Sequence, residues 1–164
     1  MGALLDVTLR TAKVEDNPFY LRVYASTRAD ELALVDWSAE QKEAFVKMQF
    51  EAQRQFYLAN YPAASYYVIE RAGQPVGRMI VDRSQKTIRL MDIALLPEHR
   101  NAGIGTNLIK DLLEEADRAG RPVLLHVETF NPAMGLYKRL GFVKSGEISF
   151  YHEMTRPPRD VAYA

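Results

Sequence analysis

The sequence is 164 residues long, with apolar residues at 48% and charged residues at 26%, the balance of a soluble globular chain and not of a disordered or membrane-embedded one. Lys plus Arg and Asp plus Glu both number 21, so the formal net charge is zero and no global field exists to gather nucleic acid or anionic lipid. Cysteine is absent, which excludes disulfide scaffolds, thiolate nucleophiles and cysteine-ligated zinc.

The length suits one domain, expected over 1–156, with 157–164 as a loose tail. No apolar run approaches the ~20 residues that span a bilayer, and the first ten residues lack the apolar core of a signal peptide; no membrane partner and a cytoplasmic location are expected. Asp6 to Arg10 alternates polar with apolar and reads as a half-buried strand. Asp16-Asn17-Pro18 then supplies cap residues and a first-turn proline for a helix. Ser38-Ala39-Glu40-Gln41 has capping-box spacing, and Phe45, Met48 and Phe56 behind it predict a longer helix ending before Tyr61-Pro62.

Three strands follow, at 66–69, 76–81 and 87–96, separated by turns short enough for an antiparallel meander. From Gly103 onward Ile104, Leu108, Ile109, Leu112, Leu113 and Ala116 recur at helical spacing until Gly120 and Pro122 stop the helix. Residues 123–127 form a short buried strand, Asn131-Pro132 opens another helix, and 143–155 fits two final strands. The fold class is α/β (α+β): a mixed, mostly antiparallel sheet of about seven strands with about four helices on its faces.

The chemistry-bearing segment runs from Leu95 through Arg100-Asn101-Ala102-Gly103-Ile104-Gly105-Thr106. It leaves a strand and enters a helix through two glycines. The first helical N–H groups have no intrahelical acceptor and lie at the positive end of the helix dipole, so they can hold a pyrophosphate with few cationic side chains. A Walker A loop needs Lys and Ser or Thr after its second Gly, where Thr106-Asn107 stands; the dinucleotide fingerprint needs Gly or Ala at Leu108. What remains is Arg-x-x-Gly-x-Gly, at Arg100, Gly103 and Gly105. Any strand-to-helix turn can use glycine for structural reasons alone, so the loop is specific only in combination with a second block.

These residues resemble the signature loop of the GNAT acetyltransferases. Leu125-His126-Val127, Asn131-Pro132, Leu136-Tyr137 and Leu140-Gly141-Phe142 are similar to that family's second block, and the two together cover about 87–142. The resemblance implies an acetyl-CoA-dependent N-acetyltransferase that moves acetyl directly to a primary amine of a small molecule or peptide, with no metal. It puts the pyrophosphate on the backbone of Arg100 to Thr106, the pantetheine arm along the strand ending at Leu95, and Asn131 farther down the arm. It also implies that the fourth and fifth strands splay, leaving backbone groups near Leu95 for the pantetheine amides.

In this frame Tyr137 is the candidate acid for the departing thiolate; the alternative is ordinary aromatic packing. His126 is the first candidate base, since imidazole titrates nearest neutral pH, and a structural histidine is the competing explanation. Asp92, which interrupts the apolar run Leu90 to Ala94, is the second, unless it only pairs with Arg89 or Arg78. Glu128 is the third. His99 in the phosphate loop reads as a surface residue. Arg22, Tyr24, Arg28 and Trp37 lie in the segment that walls the acceptor site in the family. The sequence leaves open another acyl-CoA donor, a non-catalytic CoA-binding sensor, and an interaction role through Tyr66-Tyr67 or the last strands; the chain is expected to be a monomer or a homodimer joined at sheet edges.

Overall fold

Local signals fix where the first helices begin. In the computed structural model, which describes residues 6–160, strand β1 (Val7–Thr11) leads through a 3-10 turn into helix α1 (Asn17–Ala33), with Pro18 in its first turn. Helix α2 (Ala39–Asn60) starts on the expected capping box: the Ser38 hydroxyl accepts from the Gln41 N–H at 3.1 Å, and the Gln41 side chain accepts from the Ser38 N–H at 2.9 Å. These bonds satisfy donors that the first turn would otherwise leave orphaned. The helix runs as expected, with Met48 and Phe56 exposed. Its inward stripe passes through Val46 and Phe50 to Gln53 and Tyr57, a spacing of four, three and four residues that follows one helix face.

Strands β2 (Ser65–Arg71), β3 (Gln74–Asp82) and β4 (Ile88–Leu95) form the antiparallel meander. Helix α3 (Ile104–Ala119) crosses over to β5 (Val123–Glu128), which lies parallel to β4. A short helix α4 (Met134–Arg139) precedes the hairpin β6 (Val143–Ile148) and β7 (Tyr151–Arg156). The sheet has seven strands in the order β1-β2-β3-β4-β5-β7-β6. Strand β2 is therefore internal, and the expectation that Tyr66-Tyr67 offers a free surface fails: Tyr67 packs against the core and its hydroxyl accepts from Arg83 at 2.7 Å. No helix among the described residues is long and apolar enough to cross a membrane.

The main core lies between the sheet and α3, whose Ile104, Leu108, Ile109, Leu112, Leu113 and Ala116 are all buried. Each large aliphatic side chain there contributes about 1.5–3 kcal/mol by leaving water. A smaller cluster of Tyr20, Val68 and Ile80, with Phe50, Tyr57 and Met91 against it, joins α1 and α2 to the opposite face. That second face carries the candidate site.

Candidate active site

Strand β4 changes face partway along. Its register against β3 slips between Ile80 and Val81, with Ile80 opposite Asp92 and Val81 opposite Leu90, so Met91 is an extra residue in a β-bulge. Ile88 and Leu90 before the bulge, and Ile93 and Leu95 after it, pack toward α3, whereas Met91 packs with the cluster under α1 and α2. The bulge thereby brings Asp92 to the α1/α2 face, where without it the alternation would send a carboxylate into the α3 core. There Arg78 donates to Asp92 at 2.6 Å and to Gln53 at 3.0 Å, with its guanidinium 5.5 and 5.4 Å from the Tyr20 and Tyr24 ring centres. Arg78 is 2% exposed, so this pair accounts structurally for a charge in the β4 run, as one of the expected alternatives for Asp92 holds. The Tyr57 hydroxyl donates to the Met91 carbonyl at 3.4 Å and ties α2 to the bulge.

Beyond Arg89 the sheet opens. Strands β4 and β5 pair only at Ile88 with Val123 and at Arg89 with Leu124, so the rest of β4 and β5 diverges and alternate backbone groups facing the gap have no strand partner. A cleft of about 590 Å³ fills this splay. It brings together His126, Tyr137, Asp92, Asn131 and Glu128, residues spread over 37 positions of sequence from Asp92 to Glu128 and on to Tyr137 in α4.

Each of these side chains is held by its own element. On β5, Val123, Leu125 and Val127 are buried toward α3, so alternation turns His126 and Glu128 to the cleft side. His126 stands directly across from Glu153 on β7, with Nε2 and Oε2 3.6 Å apart. Glu128 faces Arg28 of α1 at 3.6 Å. Tyr137 sits on α4 with its ring edge-on to Phe142 at 5.8 Å. Burial, and next the negative charge of Asp92, raise its phenol above the ordinary value, so it stays protonated and able to donate near neutral pH. The Asn131 side-chain oxygen accepts from the Ala133 N–H at 2.8 Å, a turn that delays the start of α4 to Met134.

The Gly-containing loop lies at the far end of β4, outside the cleft lining. Asn101 and Gly103 both adopt left-handed backbone, at φ 62 and 82°. Gly103 caps α3 with no side-chain cap bond, and among the described residues no acceptor meets the N–H groups of Asn101 to Thr106. A row of free donors at the positive end of a 16-residue helix fits a pyrophosphate. Arg100 Nε donates to the Leu95 carbonyl at 3.0 Å and its Nη2 to Ser26 at 3.3 Å. That carbonyl is thus already engaged, and the Arg100 side chain braces the loop against β4 and α1. His99 is only partly exposed, with a buried, unpartnered Nδ1, and is not the simple surface residue expected.

Of the helical residues expected near an acceptor, Arg28 lines the cleft, Tyr24 is buried behind it, Trp37 packs on Phe45 at 5.2 Å, and Arg22 lies on another groove between α1 and α2. Nothing in the local sequence pattern marks Phe56, Tyr57 and Tyr61 at the end of α2, Tyr151 on β7, or Arg89 on β4 as walls of the same cleft. The return of α2 across the splay places the first three, and the strand pairing of β7 and β4 with β5 the other two.

The model of the acetyltransferase (GNAT) family matches residues 30–142. Human N-acetyltransferase 8B is 35% identical over 92 residues, covering 53% of this chain and 40% of that protein. An uncharacterized N-acetyltransferase of Methanocaldococcus jannaschii is 31% identical over 100 residues, covering 56% of this chain and 44% of that protein. The chain thus spans about half the length of the curated relatives it matches. Among solved structures, the PaiA N-acetyltransferase of Thermoplasma acidophilum in complex with coenzyme A has a TM-score of 0.71 at 15% identity, covering 92% of this chain and 98% of that one. The ribosomal-protein-S18-alanine N-acetyltransferase of Escherichia coli has a TM-score of 0.63 at 20% identity, covering 96% of each chain. These identities speak for a shared fold. The family match, by contrast, runs from α1 through both motif blocks and over more than half of the sequence, and the chain belongs to the GNAT acetyltransferase family.

Proposed function

We propose that the chain is an N-acetyltransferase that takes its acetyl group from acetyl-CoA and gives it to a primary amine, acting as a single domain over 1–156. The observation that carries this reading is the splay between β4 and β5, which gathers His126, Asp92 and Tyr137 in one cleft along a strand that leads to an uncapped helix N-terminus. In this reading the N–H groups from Asn101 to Thr106 hold the pyrophosphate, and the unpaired edges of β4 and Asn131 accompany the pantetheine arm.

The amine attacks the thioester carbonyl carbon, a C–N bond forms and the C–S bond breaks. A β4 N–H in the splay donates to the carbonyl oxygen as negative charge grows on it. His126, directly or through water, accepts the proton that the amine nitrogen loses, and the Tyr137 hydroxyl donates to the sulfur as it leaves. Asp92, held by Arg78, orients and attracts the amine without needing to move a proton.

Calorimetric titration with acetyl-CoA, CoA and a longer acyl-CoA, with ATP and NAD as controls, tests the donor: saturable binding of the CoA series alone is expected, tightest for acetyl-CoA among the acylated forms. Folded protein that binds none of them would overturn the proposal. For the base, His126→Ala is expected to lower kcat by about a hundredfold with CoA affinity unchanged, and added imidazole to restore part of the rate. A variant that turns over as fast as the parent would remove His126 from proton transfer.

A further inference from the structure

We propose that the acceptor amine also carries a carboxylate and an apolar or aromatic body, and that Arg89 binds the carboxylate; this rests on the transferase reading above. The charges facing the cleft can be followed from each element. Glu128 of β5 is met by Arg28 of α1 at 3.6 Å. Asp92 of β4 is met by the buried Arg78 of β3 at 2.6 Å. His126 of β5 has Glu153 of β7 at 3.6 Å. The charge left over is Arg89.

Among the described residues Arg89 makes no ion pair and no hydrogen bond: its cross-strand neighbour Asp82 is buried and turned to accept from the Ser84 N–H at 2.9 Å. Its guanidinium carbon instead lies 5.1 Å from the Tyr61 ring centre. Stacking occupies a face of the guanidinium and leaves its N–H edge free, and that edge is what a carboxylate engages in a bidentate pair. No guanidinium nitrogen of Arg89 is among the buried atoms lacking a partner, so the edge is reachable from the cleft.

Position adds to the argument. Arg89 is the last residue of β4 paired with β5, at the apex of the splay, and Asp92 follows three residues later across the bulge. One cleft wall thus offers a cation at the apex of the splay and a carboxylate farther along β4, with Phe56, Tyr57 and Tyr151 also lining the cleft. A molecule bearing an amine, a carboxylate and an apolar body matches both charges and the aromatic lining. A polyamine would set a cation against Arg89.

The test compares matched pairs with and without the carboxylate, phenylalanine with phenethylamine and tyrosine with tyramine, alongside spermidine, using parent, Arg89→Gln and Arg89→Lys. The amino acid of each pair should be preferred by about tenfold or more in kcat/KM. In Arg89→Gln its KM should rise by a similar factor, with kcat and CoA affinity held and the decarboxylated amines little changed; Arg89→Lys should recover part of the loss, since it keeps the charge without the fork. Equal use of both members of each pair, a preference for spermidine, or a loss in Arg89→Gln that is the same with and without the carboxylate would overturn the assignment while leaving the transferase intact. Acetyl-CoA binding with no amine acetylated at all would bring down the transferase reading, and this one with it.

Discussion

Replacing Gly103 with Asn should weaken acetyl-CoA binding by about a hundredfold or more while the protein remains folded. Gly103 has φ 82°, a conformation that most side chains resist. Nothing lies within 4 Å of where its Cβ would be, so internal packing does not demand a glycine here. Asparagine tolerates left-handed backbone, as Asn101 already does at φ 62° in the same loop, and the expected cost in stability is about 1 kcal/mol or less. Its side chain would project from the uncapped N-terminus of α3 and compete for the same N–H groups. Losing two charge-assisted bonds of about 1.5–3 kcal/mol each gives the predicted factor. Calorimetry on the variant, with its melting curve recorded beside the parent's, decides the matter: unchanged affinity would move the pyrophosphate away from this loop.

Tyr137→Phe should lower kcat by about a hundredfold, in the range general acids contribute, with CoA affinity and melting temperature nearly unchanged. The substitution removes only the hydroxyl. That hydroxyl has no hydrogen-bond partner within the described residues and is not among the buried polar atoms left without one, whereas the ring keeps its edge-on contact with Phe142. A structural tyrosine would therefore lose little of either property. A phenol whose ionisation is disfavoured by burial and by Asp92 remains a donor through neutral pH, so the parent's rate should show no loss from Tyr137 ionisation until well above it. Single-turnover measurement of CoA release separates the outcomes, and a kcat matching the parent's would return Tyr137 to a packing role.

How much of this was legible in the chain differs by element. The α2 start was readable because a capping box is four consecutive residues bonding to one another. Helix α3 was readable because its apolar repeat matches its own period, and the two blocks around Gly103 and Asn131 bracket a strand-helix-strand crossover that local spacing describes. By contrast, the inward face of α2 was not readable, and Met48 and Phe56 are exposed, since which helix face turns inward depends on what the helix packs against.

The order of elements, the uncapped glycine entry to α3 and the candidacy of Asp92, His126 and Tyr137 are written in short stretches of chain, because each rests on residue types, bonds or periodicities spanning a few residues. Tertiary structure alone decided what those candidates face. A one-residue bulge at Met91 gives Asp92 to Arg78, the return of α1 gives Glu128 to Arg28, and the register of β4 on β3 leaves Arg89 without a carboxylate. Strand register and helix docking are chosen by contacts among residues far apart in sequence, and shifting a strand by one residue reverses which face every side chain occupies.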